Sequence, residues 1–492
     1  MPAESLSAAR RAWVKCAGFF GVGRRPSGPI APEPRLSPTA RILASFAGLI
    51  VVGAVLLSMP VCVAQGQRPL GWVDALFVST AAVCVTGLTT IDVGACLSGF
   101  GQAVLLLLIQ AGGLGFLTLS TGLLMSLGLR STVLDRAALL ESLGGFSAAG
   151  LRKLLRVVLL VTLSIELTGA VVLTWRFSSL PGFSFPQACW FGLFHAVSAF
   201  CNAGFSLFSR AAGHGADNLA GFTYSPLISF AVPALIVMGG LGFVVLEELI
   251  AWVRSRGRKR LGLHTKIVLA SSGALILLGT LLFLLLEWAN PRSLGNVPWY
   301  RALLPSLFHS VSARTAGFNT LDLAQLTSPT LLLLMGLMFV GGSPGSCAGG
   351  VKTTTAFVLV SMAVARARMR RNPNAFGREI GYESVSRAAK LALAAAVFVV
   401  LMAGIVLAAE GDRITASCRG GVFLDLLFET VSAFGTVGLS TGVTPTLAPI
   451  SKLALVLTMY AGRVGPLMLF ATLARPPAED RVRLPDEAVL VG

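Results

Sequence analysis

Residues 308–319 read FHSVSARTAGFN, and the same pattern recurs three more times along the chain. Residues 77–89 read FVSTAAVCVTGLT, residues 194–206 read FHAVSAFCNAGFS, and residues 428–440 read FETVSAFGTVGLS. The glycines of the four segments are 117, 113 and 121 residues apart, and each is followed by Leu or Phe and then a hydroxyl or amide residue. A pattern that returns at a near-constant period indicates an internal repeat. The chain is therefore predicted to contain four copies of one structural unit.

A second glycine motif follows each of these segments. It reads GGLG at 112–115, GGLG at 239–242, GGS at 341–343 and GRVG at 462–465. Each unit is therefore predicted to consist of a span, a short helix, a loop and a second span.

The composition places these units in a membrane. Apolar residues make up 54% of the 492 residues, and charged residues make up only 12%, whereas soluble domains carry about 25% charged residues. This excludes disorder for most of the chain and a single soluble core. An integral membrane protein of many spans is predicted.

A helix needs about 20 apolar residues to cross a bilayer, and eight stretches qualify as spans. They are residues 42–64, 101–127, 155–176, 226–250, 265–287, 328–365, 387–409 and 452–474. A shorter amphipathic segment lies between the members of each pair, near 73–85, 187–201, 301–314 and 422–435. These segments are too short to cross, and irregular backbone at membrane depth must be buried in protein or line water. The predicted fold is all-α: eight transmembrane helices and four re-entrant pore helices around one pseudo-fourfold pore.

The predicted organisation has four pore repeats and two terminal segments. The terminal segments are a flexible cytoplasmic N-terminus (1–41) and a cytoplasmic C-terminal tail (475–492). The four pore repeats are residues 42–127, 155–250, 265–367 and 387–474, and the third contains a gate loop at 341–350.

The net charge of +17 would suggest a nucleic-acid partner in a soluble protein. Here 29 of the 39 Lys and Arg residues fall on one side of the predicted membrane. Basic residues mark the cytoplasmic side, so both termini are predicted in the cytoplasm and the protein in the inner (plasma) membrane, with no nucleic acid bound. The basic loops would meet anionic lipid or a cytosolic partner, and the sequence does not separate these.

The repeated loops have the composition of an ion filter. A cation that leaves water needs oxygens in return, which rings of backbone carbonyls can supply. Glycine permits the positive φ that turns carbonyls toward one axis, and the negative end of each short helix favours a cation. The alternative is that these are helix-packing glycines, which are common in membranes. The predicted filter residues are Val85, Thr86, Gly87, Asn202, Ala203, Gly204, Thr315, Ala316, Gly317, Thr436, Val437 and Gly438.

With these motifs, the chain resembles the superfamily of potassium transporters that includes KtrB and TrkH, over about residues 38–492. It looks closer to KtrB, because no further pair of spans precedes Ile42 and the tail at 484–492 is similar. The resemblance implies potassium uptake with K+ at the filter carbonyls, sodium dependence, a homodimer and a cytosolic KtrA-type nucleotide-binding ring. A TrkH-like or weakly selective Na+/K+ transporter is the alternative.

Residues 341–350 hold five glycines and a proline, a composition that no stable continuous helix tolerates. The resemblance implies a gate under the filter here; the alternative is a kinked span without a gating role. The gate residues are Gly341, Gly342, Ser343, Pro344, Gly345, Ser346, Gly349 and Gly350. Cys347 stands where Thr or another small residue is expected. Arg463 would project into the pore as a positive barrier, or would snorkel or pair structurally.

Five other polar positions carry predictions. Arg314 and Glu429 are hypothesised to form a structural ion pair behind the filter. Glu166, alone in a span, would touch a coupling ion or the subunit interface, or hydrogen-bond a neighbouring helix. His195 and His309 are interpreted as hydrogen-bonded packing residues. The motifs HExxH and GxxxxGK[ST] are not found in the sequence, so neither an enzyme nor a covalently bound cofactor is predicted.

Overall fold

The computed structural model describes residues 38–126, 148–214, 217–370, 372–411 and 421–465. The predictions for residues 1–37, for the end of the last span at 466–474 and for the tail at 475–492 lie outside these ranges. The described chain is mostly helical.

The helices follow the order expected of four units. The first unit has α1 (Pro38–Ser58), α2 (Trp72–Val83) and α3 (Gly99–Ser126); the second has α4 (Ala148–Ser178), α5 (Phe185–Phe200), α6 (Pro226–Leu241) and α7 (Phe243–Arg254). The third has α8 (Leu263–Glu287), α9 (Trp299–Ser312), α10 (Ser328–Phe339) and α11 (Thr353–Ala367); the fourth has α12 (Tyr382–Ala409), α13 (Gly421–Gly435) and α14 (Pro449–Val464). The four short helices α2, α5, α9 and α13 fall on the four segments predicted to be too short to cross.

Within the described ranges, three helices are long and apolar enough to cross a membrane: Val158–Ser178, Leu263–Glu287 and Tyr382–Ala409. The bent pair α6–α7 qualifies as a fourth span when its two helices are taken together. Several shorter apolar helices accompany them, α10 and α11 among them. The chain thus has the character of an integral membrane protein, and the count of eight spans stays a prediction.

Two details differ from the expected architecture, and one agrees with it. The predicted span 328–365 is broken where its glycine-rich composition indicated, with non-helical backbone from residue 340 to 352. The predicted span 226–250, in contrast, is bent by 106° between α6 and α7, at Gly242, whose φ is 94°. The fold is also not purely helical, because Asn374–Ala375 (β1) and Arg378–Glu379 (β2) pair as a small antiparallel hairpin.

The units pack in a cyclic order. The helix that follows the filter loop of each unit contacts the short helix of the next unit. Thus α3 packs on α5, α6 on α9 and α10 on α13, and α14 closes the cycle on α2. An ion pair supports this last junction, since Lys452 Nζ of α14 lies 2.9 Å from Asp74 Oδ1 of α2. The same contact made four times produces a ring of four units in one chain.

Serine hydroxyls fasten two of the short helices to the helix that precedes them. Ser79 Oγ donates to the Ile50 carbonyl at 2.7 Å, and Ser310 Oγ donates to the Ile276 carbonyl at 2.8 Å. Both serines stand two residues after the repeated phenylalanine. The repeated motif therefore encodes helix packing as well as the loop that follows.

Buried carboxylates hold the later helices of the third and fourth units. Glu287, at the end of α8, accepts hydrogen bonds from the Thr327 amide and hydroxyl, both at 2.9 Å, just before α10. Glu410, just after α12, accepts from the Ala448 amide at 2.7 Å, just before α14. A carboxylate at a helix N-terminus satisfies free amides and interacts favourably with the helix dipole. These caps were not predicted from the sequence. Their signal is a Glu at the end of one span, followed along the chain by a helix with Pro in its first turn.

Replacing Glu287 by Ala should lower the apparent melting temperature of the purified protein. The amide of Thr327 and the side chains of Asn290 and Ser293 would lose their shared acceptor, and an unpaired buried polar group costs about 1–3 kcal/mol. Size-exclusion chromatography after heating in detergent measures the shift. Asp322→Ala is the matched control, because Asp322 also caps a turn but is exposed. Equal shifts for the two variants would contradict the role given to Glu287.

Candidate functional site

The four predicted filter loops leave their helices with the same backbone geometry. The first residue of each loop is left-handed, with φ of 56° at Val85, 59° at Asn202, 70° at Thr315 and 49° at Thr436. Such angles are uncommon outside glycine. The glycine two residues later also has a positive φ in all four loops, between 69° and 92°. Four loops of different sequence thus share one conformation that local preference alone does not favour.

The loops meet at these glycines. A Cβ on Gly87 would lie 2.3 Å from the carbonyl oxygen of Ala203, in the next unit. The corresponding distances are 2.6 Å from Gly204 to Ala316, 2.5 Å from Gly317 to Val437, and 2.0 Å from Gly438 back to Thr86. Only glycine fits so close an approach. The four predicted triads therefore form one closed ring.

The amides of the middle filter residues are already occupied. The Thr86 amide donates to the Ala81 carbonyl and the Ala203 amide to the Ser198 carbonyl, both at 2.7 Å, and the other two loops repeat this with their own helices. The ring can therefore offer carbonyl oxygens to a ligand, and such oxygens replace the hydration shell of a cation.

The second glycine motif supports the ring from beneath in three units. A Cβ on Gly112, Gly239 or Gly462 would lie 1.8–2.1 Å from the carbonyl oxygen at or near the end of the short helix of the same unit. The third unit differs, because a Cβ on Gly341 would lie 2.1 Å from the Gly349 carbonyl. Within residues 38–465 as the structure describes them, the third unit alone places a loop next to the filter in this way.

The predicted gate loop lies against the filter and is held by neighbouring units. A Cβ on Gly349 would lie 2.3 Å from Thr436 Oγ1, and one on Gly341 would lie 3.2 Å from Thr315 Cγ2. Backbone hydrogen bonds also join the gate loop to units two and four. They run from Ser343 to Gly240 at 3.0 Å, from Cys347 to Gly239 at 3.2 Å, from Gly350 to Gly462 at 3.3 Å, and from Phe243 to Gly345 at 3.1 Å.

The remaining gate residues shape the loop itself. The Ser346 hydroxyl donates to the Ser343 carbonyl at 2.7 Å, and Gly342 would meet the Ala348 side chain if it carried a Cβ. The Pro344 carbonyl lies 2.7 Å from a Cβ placed on Gly242, at the bend between α6 and α7. The bend in the second unit therefore makes room for this loop.

Two basic side chains bind carbonyls of the gate loop. The Arg463 guanidinium donates to the Cys347 carbonyl through Nη1 and to the Gly112 carbonyl at 2.6 Å through Nη2. Lys352 Nζ donates to the Ala348 carbonyl at 2.7 Å. Arg463 thus connects the gate loop, the first unit and the fourth unit, and it does not snorkel.

The predicted ion pair between Arg314 and Glu429 is wrong. Arg314 Nη2 donates to Ser272 Oγ at 3.0 Å, and Glu429 accepts from Thr444 Oγ1 at 2.7 Å and Ser440 Oγ at 2.6 Å. Each charged group thus has hydroxyl partners within its own surroundings, and Glu429 also accepts from the Thr441 amide at 3.1 Å. The hydroxyls of Ser440 and Thr444, just past the fourth filter glycine, are the signal that sequence analysis missed.

The other singled-out residues are hydrogen-bonded. Glu166 is buried and accepts from Gln110 Nε2 at 3.2 Å, on a neighbouring helix. His195 Nδ1 lies 2.7 Å from the Phe191 carbonyl, and His309 Nδ1 lies 2.8 Å from the Pro305 carbonyl. The histidines act as packing residues, as predicted.

Comparisons with known proteins agree on one family. The model of the TrkH family, described as cation transport protein, matches residues 46–479. Ktr system potassium uptake protein B of Bacillus subtilis is 35% identical, covering 93% of this chain and 97% of the relative. The protein of the same name from Vibrio alginolyticus is 36% identical, covering 94% and 95%. Potassium/sodium uptake protein NtpJ of Enterococcus hirae is 36% identical, covering 93% and 98%.

A solved structure shares the fold. The crystal structure of the potassium transporter TrkH from Vibrio parahaemolyticus matches with a TM-score of 0.68, covering 90% of this chain and 86% of that one. Its sequence identity is 18%, so this likeness concerns the fold alone.

Because Arg314 and Glu429 have separate partners, their effects on stability should be independent. The loss in free energy of unfolding of the double variant Arg314→Gln, Glu429→Gln, measured by denaturant titration in detergent, should equal the sum of the two single losses within about 0.5 kcal/mol. The pair Glu429→Gln, Thr444→Val is the control, and it should be clearly non-additive since these groups are in contact. A clearly non-additive result for Arg314 and Glu429 would contradict their separate partners and would support an ion pair between them.

Proposed function

This chain belongs to the TrkH family of cation transport proteins, and we propose that it carries potassium ions into the cell through the ring formed by its four filter loops. The resemblance inferred from the repeated motifs is thereby confirmed at the level of the family. Proteins of this family are ion transporters, so the chain is a transporter and not an enzyme.

One observation carries the filter assignment: the glycines of the four loops approach one another in a closed cycle, at distances that admit no side chain. An ion at the centre of such a ring meets carbonyls of all four units. Inward movement of one positive charge across 100 mV releases about 2.3 kcal/mol, which is enough to drive uptake without ATP.

The gate loop at 341–350 and Arg463 would control the passage. The loop lies against the residues of the third and fourth filter loops, and Arg463 ties it to the first unit. An ion that has passed the filter would meet a fixed guanidinium and a loop in its way. Opening then requires that the loop release its bonds to units two and four.

The surroundings of the transporter are also part of the proposal. It would reside in the plasma membrane with both termini in the cytoplasm, as a homodimer bound to a cytosolic KtrA-type nucleotide-binding ring. The names of the potassium uptake relatives and the basic loops support this setting.

Sodium dependence is supported by the name of the potassium/sodium uptake protein of Enterococcus hirae. The same name favours the alternative, a TrkH-like or weakly selective Na+/K+ transporter. Fluxes of the two ions separate these two functions.

Proteoliposomes with the purified protein should take up 86Rb+ faster than 22Na+, and external Na+ should raise the 86Rb+ rate. Gly438→Ser should reduce the preference for Rb+ by about tenfold, or about 1.4 kcal/mol, because its side chain would collide with the Thr86 carbonyl. Gly404→Ser is the control, since a Cβ there meets nothing within 4 Å. Equal Rb+ and Na+ fluxes in the unmodified protein would support the alternative, and an unchanged preference in Gly438→Ser would overturn the filter.

Arg463→Gln should raise the 86Rb+ uptake of proteoliposomes that lack any cytosolic partner, because the gate loop loses its link to the first unit. Lys452→Gln is the control, since Lys452 is a basic residue of the same helix whose partner is Asp74. An Arg463→Gln rate at or below that of the unmodified protein would contradict the gating role.

A further inference from the structure

The bend between α6 and α7 leaves two helix carbonyls to the gate loop. In a continuous α-helix each carbonyl accepts from the amide four residues later. The chain instead turns by 106° at this point. The Gly239 carbonyl accepts from the Cys347 amide at 3.2 Å, and the Gly240 carbonyl accepts from the Ser343 amide at 3.0 Å. The gate loop therefore takes the place of two hydrogen bonds that a straight helix would make.

The first amide of α7 is bound to the gate loop as well. In a straight helix Phe243 would donate to Gly239, but it donates to the Gly345 carbonyl at 3.1 Å. The Pro344 carbonyl lies inside the bend, 2.7 Å from a Cβ placed on Gly242. The bend and the bound loop thus depend on each other, because straightening α6 and α7 would return both carbonyls to the helix and release the loop.

Helix α7 connects this joint to the protein surface. Phe243, Val245 and Leu246, near its start, are buried, whereas Trp252 and Val253, near its end, are 40% and 65% exposed. Twelve helical residues span about 18 Å. A force on the exposed end of α7 is therefore transmitted to the joint that holds the gate loop.

A basic segment follows the exposed end and folds back on α7. The Gly257 amide donates to the Trp252 carbonyl at 2.9 Å, and the Gly262 amide donates to Glu248 Oε2 at 3.0 Å. Five of the seven residues from 254 to 260 are basic, and these five are exposed and form no ion pair with a residue that the structure describes. They are Arg254, Arg256, Arg258, Lys259 and Arg260.

This arrangement fits the surface of an anionic membrane. A helix bent by 106° from a membrane-crossing helix runs near the membrane plane. Tryptophan is enriched at the level of the headgroups, and a helix with exposed apolar residues beside several Lys or Arg residues binds anionic lipid. The exposed indole of Trp252 and the side chain of Val253 favour lipid over a soluble acidic partner, because charge alone would attract such a partner.

We propose that residues 243–260 bind anionic phospholipid headgroups on the basic, predicted cytoplasmic side, and that this binding keeps α7 bent and the gate loop in place. Without the lipid contact, α6 and α7 straighten into one helix, which recovers its two carbonyls and frees the loop. The effect on transport rests on the function proposed above, because a bound loop matters only if ions pass it. The lipid contact itself does not depend on that function.

Fluorescence of Trp252 tests the lipid contact directly. The full chain is placed in phosphatidylcholine vesicles that contain either brominated phosphatidylglycerol or brominated phosphatidylcholine, and the signal of Trp252→Phe is subtracted to remove the other six tryptophans. Brominated phosphatidylglycerol should quench the remaining signal more strongly. The triple variant Arg256→Gln, Arg258→Gln, Lys259→Gln should lose this difference.

Flux of 86Rb+ tests the effect on the gate in the same two lipids without bromine and without any cytosolic protein. Uptake by the unmodified chain should be about fivefold lower with phosphatidylglycerol, since one basic residue at an anionic surface contributes roughly that factor. An anionic surface by itself concentrates Rb+ and would raise uptake. The triple variant should show equal uptake in both lipids. Arg370→Gln, Arg378→Gln, Lys390→Gln is the matched control, because these basic residues are equally exposed but lie away from the joint, and it should keep the response.

Gly242→Ala tests the bend without changing any charge. Its Cβ would meet the Pro344 carbonyl, and its φ of 94° is unfavourable for alanine. The variant should therefore straighten the joint, raise 86Rb+ uptake and lose the response to phosphatidylglycerol. Gly273→Ala is the control, since a Cβ there meets nothing within 4 Å.

Equal quenching of Trp252 by the two brominated lipids would overturn the proposal, and it would favour a protein partner for the basic segment. Preferential quenching with equal flux in both lipids would overturn the effect on the gate, as would a lipid response that persists in Gly242→Ala. An unmodified chain without 86Rb+ uptake in either lipid would instead refute the proposed function, and the quenching would still report on the lipid contact.

Discussion

The contact among the four filter glycines is the constraint on which the rest of the structure depends. Each glycine lies so close to a carbonyl of the next unit that a single Cβ would collide with it. Four loops can approach this closely only if each short helix ends at the same depth and angle. The left-handed residues such as Asn202 and Thr315 show that the loops accept unfavourable backbone angles to reach this position.

The surrounding helices hold the loops at that depth. Gly112, Gly239 and Gly462 let the helix that follows a filter loop lie against the end of the short helix in its own unit. The same helix packs on the short helix of the next unit, so the short helices of units one, two and four are held from two sides. Buried Glu287 and Glu410 fix where two of these later helices begin. These two buried carboxylates therefore serve to position helices.

The sequence allowed prediction of the short helices, the glycine loops that follow them and the break in the third unit, since each depends on local composition. It did not allow prediction of features that depend on contacts between units. The GGLG motif shows this: at 112–115 the helix continues to Ser126, whereas at 239–242 the chain bends by 106°. The difference lies in the gate loop, whose Pro344 and Gly345 carbonyls contact the second unit. The erroneous Arg314–Glu429 pair has the same origin, because closeness to the filter in sequence does not fix the direction of a side chain.

The four units are equivalent at the filter and unequal just beneath it. Among the described residues, the third unit alone replaces a helix by a loop, and the backbone hydrogen bonds of this loop to its neighbours involve Gly239, Gly240 and Phe243 of the second unit and Gly462 of the fourth. None of these four residues belongs to the filter triads. The loop can therefore exchange these partners while the glycine cycle above it stays closed. In the proposed function the symmetric ring would bind the ion and the asymmetric loop would control its release, so a change at Arg463, which binds the loop from α14, would alter passage while the glycine cycle stays unchanged.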